Sequence, residues 1–98
     1  HPKLNMTAAV SPSAIAEYIC FFIRNNLVAE GIEVTPAMPL EQLGLDSFSL
    51  IEIILFVERQ YHLQLSDEAL TRENIFSSEA LANYIYQHLY EYKQTRAD

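Results

Sequence analysis

One serine in this chain stands where its hydroxyl could take part in chemistry. Ser47 follows Asp46, and the pair separates a glycine-containing turn from a strongly apolar stretch. Aspartate is a favoured N-cap residue because its side-chain oxygen accepts a hydrogen bond from a free N–H group of the first helical turn. Ser47 is therefore predicted at the first helical position, with its hydroxyl facing water. Backbone N–H groups and the helix dipole favour a phosphate at such a position.

The residues around Ser47 resemble the modification motif of the acyl carrier protein family. The family pattern Gly-x-Asp-Ser-Leu is matched by residues 44–48, which read Gly-Leu-Asp-Ser-Phe, and leucines precede it at positions 40 and 43. The resemblance covers residues 11–92. It implies a 4′-phosphopantetheine arm joined to Ser47 through a phosphodiester, with an acyl group carried on the arm's thiol. It also implies that Asp46 helps a phosphopantetheinyl transferase to recognise the site.

Hydrophobic periodicity predicts an all-α fold, with helices over 11 to 27 or 28, 46–61 and 77 or 78 to 92. Prolines and the lack of a helical period predict a long ordered loop between the first two helices. A short helix is expected over 67–70, with a further turn over 73–76. In the resembled family these elements form a four-helix bundle of three main helices and a short third one.

Apolar residues at helical spacing predict one buried face on each main helix. The predicted core residues are Ile15, Tyr18, Ile19, Phe22 and Ile23, then Leu50, Ile53, Ile54, Val57 and Tyr61, then Leu81, Ile85, Leu89 and Tyr92. Cys20, the only cysteine, is expected to be a buried thiol. The remaining expected anchors lie outside the main helices. They are Ile32, Val34, Met38, Leu40 and Leu43 in the loop, and Ile75 and Phe76 just before the last helix.

A second apolar set lies on the side of the second helix away from its core face. It comprises Phe48, Ile51 and Leu55, flanked by the acidic residues Glu52 and Glu58. A helix of a small bundle rarely buries two faces, so this set is predicted to stay exposed as a binding surface. The pattern leaves open that the three apolar residues are core, covered by a loop or a short helix. The resemblance implies that this helix docks on partner enzymes whose basic residues meet its acids.

Composition narrows the classes of partner. The chain has 98 residues, half of them hydrophobic, and a formal net charge of −7. Nucleic acid binding is not expected, because it needs clustered Lys and Arg. Partners with basic patches are favoured. No stretch approaches the roughly 18–20 apolar residues of a membrane span. We expect a cytoplasmic monomer that meets acyl-loading, condensing and tailoring enzymes, with no membrane partner.

The residues do not predict an enzyme. The nucleophile elbow Gly-x-Ser-x-Gly is absent around Ser47, and no strand is predicted before it. His62 and His88 have no partner carboxylate at a defining spacing, so a catalytic triad is not predicted. One cysteine and scattered histidines give no metal-ligand spacing. We predict no catalytic residue and no metal site, and a separate transferase would modify Ser47 with coenzyme A as donor.

Alternatives for the function remain. The chain could be a peptidyl, aminoacyl or aryl carrier, or an acidic helical adaptor that is never modified. Three residues depart from the commoner family pattern, since Phe48 replaces a leucine, Ser49 replaces an acid and Arg59 interrupts the acidic run. These departures favour a specialised pathway, such as polyketide synthesis, at least as much as fatty acid synthesis. The predicted organisation is a disordered segment over 1–10, in part an expression tag, a carrier domain over 11–92 and a flexible tail over 93–98.

Overall fold

The computed structural model describes residues 10–66 and 70–96, with side chains up to residue 89. Within them the chain forms three α-helices, α1 (Pro12–Asn26), α2 (Ser47–Tyr61) and α3 (Ser78–Arg96). A 3-10 helix (Leu40–Leu43) lies in the loop before α2. This part of the chain contains no strand, and its one bridge pairs single residues of the loop and the α3 start. The predicted all-α fold is confirmed.

Each α-helix begins at a side chain that caps it. The capping bonds run from Ala14 N to Ser11 Oγ (3.1 Å), from Ser49 N to Asp46 Oδ1 (2.9 Å) and from Ala80 N to Ser77 Oγ (3.1 Å). These oxygens satisfy N–H groups that have no partner within the first turn. The predicted helix starts are therefore confirmed, and each follows from a short polar side chain placed before an apolar run.

The helix ends agree less closely with the sequence-based expectation. The end of α2 at Tyr61 is confirmed, and α1 ends one residue before the predicted range, at Asn26. In contrast, α3 continues to Arg96, four residues beyond the expected end, because no proline or glycine follows its start. Three stretches lie outside the described residues. They are residues 1–9 of the segment predicted over 1–10, residues 67–69 of the expected short helix, and residues 97–98 of the expected tail.

The segment before α3 contains the turn expected over 73–76 but not the core anchor expected at Phe76. Residues 71–76 form turns and bends, with one helical-type bond from Ile75 N to Thr71 O at 3.1 Å. Phe76 was expected to anchor the core but is 54% exposed. The buried neighbour Ser77 explains this, because the chain is extended at its bridge to the loop and successive side chains there point to opposite sides.

The hydrophobic core lies along α1, which packs mainly on α3 and less extensively on α2. Its buried apolar residues are Ile15, Ala16, Ile19, Cys20, Ile23, Val34, Leu40, Ile53, Val57, Leu81, Ala82 and Ile85. Phe22, Leu50, Ile54, Tyr61 and Leu89 pack against them while partly buried, and the side chain of Tyr92 lies outside the described residues. The buried Cys20 is confirmed, and burial raises the pKa of its thiol. Most of the predicted core is therefore correct.

Ring contacts show how α1 and α2 are oriented. Phe22 stacks on Phe56, with ring centroids 4.4 Å apart, and Tyr18 lies edge-on to Tyr61 at 6.4 Å. Moving toward the start of α1 therefore moves toward the end of α2, so the two helices are antiparallel. Tyr18 was predicted as core but is 39% exposed, because it sits at the rim of this interface. The end of α1 and the start of α2 lie at the same end of the molecule.

Three hydrogen bonds hold the loop between α1 and α2 against the helices. They run from Arg24 Nη1 to Val34 O (3.0 Å), from Glu79 N to Pro36 O (2.8 Å) and from Leu40 N to Phe76 O (2.9 Å). Val34 and Leu40 are buried as predicted, and Met38 and Leu43 are half-buried. Ile32 is 46% exposed, so its predicted anchoring role is wrong. The 3-10 helix was not expected, because four residues are too few to show a hydrophobic period.

Candidate functional site

Ser47 is the first residue of α2, and its side chain is exposed. The chain reaches it through Gly44, which ends the 3-10 helix in the left-handed conformation with φ 72°. Asp46 is extended, with φ −96° and ψ −174°, and its side chain caps α2. The chain therefore passes from one helix to the next within three residues, and the hydroxyl of Ser47 is presented at the surface where the sequence predicts it.

The carboxylate of Asp46 is committed to the helix start. The backbone N–H of Ser49 and then its hydroxyl hold the pKa of Asp46 below the ordinary value of 3.8. A carboxylate with a lowered pKa is a poor proton acceptor near neutral pH. Asp46 therefore stabilises the turn that presents Ser47.

The outward side of α2 carries the predicted apolar set. Phe48 is 79% exposed, Ile51 49% and Leu55 45%, so none of the three is a core residue. Glu52 is exposed beside them. The core face of the same helix is formed by Ile53 and other residues on its far side. Large apolar side chains exposed on one face of a small protein typically mark a site of interaction.

Glu58 has a structural contact that the sequence does not signal. It is half-buried, and its Oε2 accepts a hydrogen bond from Leu65 N at 2.9 Å. Its carbonyl also accepts bonds from the backbone N–H groups of His62 and, at 3.1 Å, Leu63. Glu58 thus fastens the segment that follows α2. A bond between a helix residue and a residue seven positions later depends on the path of the chain, so periodicity could not reveal it.

Phe56 is a second residue that the sequence reading missed. Its position falls between the predicted core face of α2 and the outward set, so neither includes it. In the structure it is partly buried, stacked on Phe22 and edge-on to Tyr18 at 6.2 Å. Phe56 therefore fixes how α2, and with it the outward face, is set against α1.

The negative charge is concentrated in one part of the chain. Residues 25–58 contain no Lys or Arg and six acidic residues, namely Glu30, Glu33, Glu41, Asp46, Glu52 and Glu58. The other seven acidic residues are nearly balanced by the six basic ones, so this segment supplies −6 of the formal charge of −7. It comprises the long loop and most of α2. The acidity therefore belongs to the part of the chain that carries Ser47, where it favours basic partners.

The remaining polar groups of the described residues include two histidines beside an open cavity. His62 and His88 line an open cavity of about 450 Å³ together with Glu58. Within the part of the chain that the structure describes, no group of three His, Cys, Asp or Glu residues could hold a metal ion. Among the same residues, no helix has both the length and the apolar character to cross a membrane.

Residues 17–85 match the family of phosphopantetheine attachment sites. The match includes Ser47 and covers more than half of the chain. The chain belongs to this family. As a carrier protein it holds 4′-phosphopantetheine covalently and is not itself catalytic. The resemblance seen in the sequence is thereby confirmed.

Known proteins agree with this assignment. The carrier is 27% identical over 90 residues to acyl carrier protein 2, chloroplastic, of Arabidopsis thaliana. The alignment covers 91% of this chain but 64% of that protein, so the chain spans less than two thirds of its relative's length. Because that relative is chloroplastic, the cytoplasmic location expected from the sequence stays a prediction.

The fold also matches a carrier protein seen with an enzyme. The carrier is similar to a chain in the crystal structure of Bradyrhizobium japonicum glycine:[carrier protein] ligase complexed with glycylated carrier protein. The TM-score is 0.60 at 26% sequence identity, over 74% of this chain and 95% of that one. That carrier protein is thus seen in contact with an enzyme.

Proposed function

We propose that Ser47 Oγ carries the 4′-phosphopantetheine and that the arm holds acyl intermediates as thioesters. Partner enzymes of fatty acid, polyketide or related specialised biosynthesis would load, extend and remove them. The observation that carries this proposal is the exposed hydroxyl of Ser47 at the first position of α2, within the residues that match the family. The N–H groups and the dipole of the helix start favour the phosphate that the modification adds.

The modification step transfers the phosphopantetheine from coenzyme A. Ser47 Oγ loses its proton to a base and forms a bond to the phosphorus next to the pantetheine. The bond from that phosphorus to the bridging oxygen breaks, and adenosine 3′,5′-bisphosphate leaves with the electron pair. In this proposal the phosphopantetheinyl transferase supplies the proton acceptor, and Asp46 holds the helix start through its bond from Ser49 N.

The outward face of α2 is the proposed docking surface for these enzymes. Phe48, Ile51 and Leu55 supply exposed apolar contacts, and Glu52 supplies a charge for a basic patch. Glu58 stays in the proposed surface, although its bond to Leu65 N leaves only part of its carboxylate free for a partner. This surface adjoins Ser47, so an enzyme bound to it would have the loaded arm close to its active site.

One alternative cargo has support of its own. The similarity to an acyl carrier protein favours acyl groups, whereas the structural match includes a glycylated carrier protein and favours amino acids. An adaptor that is never modified is disfavoured by the family match. We retain acyl transfer as the main proposal and aminoacyl transfer as the second.

The attachment site is tested by incubating the protein with coenzyme A and a broad-specificity phosphopantetheinyl transferase, followed by intact mass spectrometry. We expect the mass to rise by one phosphopantetheine group. Ser47→Ala should abolish the gain. Ser49→Ala is the matched control, because it removes a hydroxyl two residues away and keeps the backbone N–H that Asp46 binds. Unmodified wild type with an intact helical circular dichroism spectrum would overturn the proposal.

The cargo is tested on the modified protein in two reactions. One contains malonyl-coenzyme A and an acyltransferase, and the other contains glycine, ATP and a glycine:[carrier protein] ligase. Formation of a thioester that hydroxylamine removes is followed by mass. Loading in the first reaction alone supports the acyl carrier, and loading in the second alone shifts the assignment to the aminoacyl carrier.

A further inference from the structure

The outer face of α1 exposes two aromatic side chains, of which Tyr18 also keeps ring contacts to Phe56 and Tyr61. Phe21 is 57% exposed and Tyr18 is 39% exposed. An open groove of about 590 Å³ beside them is lined by Ala14, Glu17, Tyr18, Phe21 and Arg24. This face belongs to α1 and shares no residue with the proposed docking surface on α2, although Arg24 lies at the same end of the molecule as the start of α2. We call it the α1 face.

The residues of the α1 face recur with a spacing of seven. Ala14 and Phe21 lie along its middle, and Glu17 and Arg24 lie along one edge. Residues seven apart lie on the same side of a helix, two turns apart, so these side chains form one stripe against which a second helix could lie. The groove beside Phe21 supplies a gap that another aromatic ring could fill.

We infer that the α1 face docks on the α1 face of a second copy of this chain, with the two helices antiparallel. A two-fold axis passing between positions 20 and 21 places Phe21 of each copy beside the groove of the other. The same axis brings Glu17 of each copy to Arg24 of the second copy. One surface thus supplies two equivalent ion pairs, as a closed two-fold interface requires.

Charge favours the antiparallel pairing of the two helices over a parallel one. A parallel pairing would set Glu17 against Glu17 and Arg24 against Arg24, and like charges in contact are unfavourable. The Nη1 of Arg24 donates to Val34 O at 3.0 Å, which fixes the guanidinium at the edge of the face. Arginine has five N–H donors in a planar fork, so others are available to a carboxylate. A face that carries both charges at matched positions complements itself.

The size of the α1 face sets the strength of the association. A standard interface buries about 800 Å² on each partner, and five or six side chains of one helix supply less than that. We therefore expect a dissociation constant in the high micromolar to millimolar range. The chain would be a monomer when dilute, as the sequence analysis expects, and would pair where it is concentrated.

The inference is tested by sedimentation equilibrium over a concentration series that extends into the millimolar range. The wild type should shift toward twice the monomer mass as concentration rises. Glu17→Arg should lose this shift, because each interface then sets arginine against arginine, and Arg24→Glu should lose it for the opposite reason. An equimolar mixture of the two variants should recover the shift, since both contacts then join opposite charges.

Controls separate the ion pairs from net charge and from folding. Glu30→Arg makes the same charge change beyond the end of α1 and should self-associate like the wild type. Circular dichroism checks Arg24→Glu, which also loses its bond to Val34 O. If Arg24→Glu unfolds, Glu17→Arg and Phe21→Ser still test the inference, and both should lose the shift toward twice the monomer mass. A wild type that stays monomeric throughout, or a Glu17→Arg variant that associates like the wild type, overturns the inference and leaves the α1 face for a different protein.

Discussion

Asp46 and Ser47 are adjacent residues with separate tasks. The carboxylate of Asp46 closes the first turn of α2 through Ser49 N, and the hydroxyl of Ser47 is left exposed. The lowered pKa of Asp46 has the same cause as its capping role, because both come from hydrogen bonds that favour the charged form. The cap thus fixes the helix start at which the hydroxyl of Ser47 is exposed.

The cap makes the stability of the chain depend on acidity. The pKa of Asp46 is lower in the folded than in the unfolded chain, so its contribution is present above the unfolded pKa and is lost as pH falls through the folded pKa. Asp46→Asn keeps an oxygen for Ser49 N and cannot titrate. We expect the wild type to be the more stable of the two at neutral pH, with the difference vanishing as pH falls from the unfolded pKa of 3.8 through the lower folded pKa.

The comparison is made by urea unfolding of both proteins at each pH. Using the difference between them cancels the other carboxylates, which titrate in both. Asp46→Ala serves as a further control. Its melting temperature at neutral pH should be several degrees lower than that of the wild type or Asp46→Asn, because it has no capping oxygen. A difference between wild type and Asp46→Asn that does not change with pH would show that the folded and unfolded pKa values are equal.

At the scale of elements, α2 is bounded by two residues in the left-handed conformation. Gly44 lies before its start with φ 72°, and His62 follows its end with φ 55°. Glycine adopts this conformation freely, whereas in a residue with a Cβ it is sterically unfavourable. The start of the helix, where Ser47 is presented, is therefore relaxed, and the strain lies at the far end.

Substitutions at these two positions should have opposite effects. No atom lies within 4 Å of a Cβ built on Gly44, so Gly44→Ala meets only the conformational cost, and the free energy of unfolding should fall by about 1–2 kcal/mol. His62→Gly should raise it by up to about 1 kcal/mol, since relief of the left-handed residue is partly offset by the added freedom of the unfolded chain. Urea unfolding measures both. A neutral Gly44→Ala would show that the turn is not left-handed in solution.

At the scale of the whole molecule, charge is distributed in a way that steers partners. Nearly all of the net negative charge comes from residues 25–58, which lead into and form most of α2. Opposite charges across an interface speed the encounter of two proteins more than they strengthen the final complex. The transferase and the partner enzymes should therefore be sensitive to single charges on this side and to salt.

Glu52→Lys should lower kcat/KM of the phosphopantetheinyl transferase several-fold at low salt, with the loss shrinking as salt screens the charges. Because Glu52 is exposed, the free energy of unfolding should change by no more than about 0.5 kcal/mol. Glu17→Lys makes the same charge change on α1 and should have a smaller effect on kcat/KM. Equal effects of the two variants would mean that net charge alone matters, and a large loss of stability would show that Glu52 is structural.

The fold could be predicted where local chemistry decides it. The start of each helix follows from a capping residue next to an apolar run, and the buried faces of α1, α2 and α3 follow from the helical period. For Phe48 the same period left a core role open, and the structure decided for exposure. These features depend on residues within one or two turns of each other.

Other features depend on residues far apart in the chain. The exposed Phe76, the contact of Glu58 with Leu65 and the stacking of Phe56 on Phe22 were not predicted. Each is set by how the loop and the helices meet, and no local pattern reports a meeting between distant segments. The α1 face likewise became visible only when packing showed which aromatic residues the core leaves out.

The sequence by itself determined that a capped serine begins an apolar helix in an acidic, all-helical chain of the carrier type. Capping and helical periodicity are local interactions, so the residues themselves specify them. Only the tertiary structure decided which distant segments meet and which single side chains, such as Phe76, the core leaves in water, because both depend on how the loop and the helices pack together.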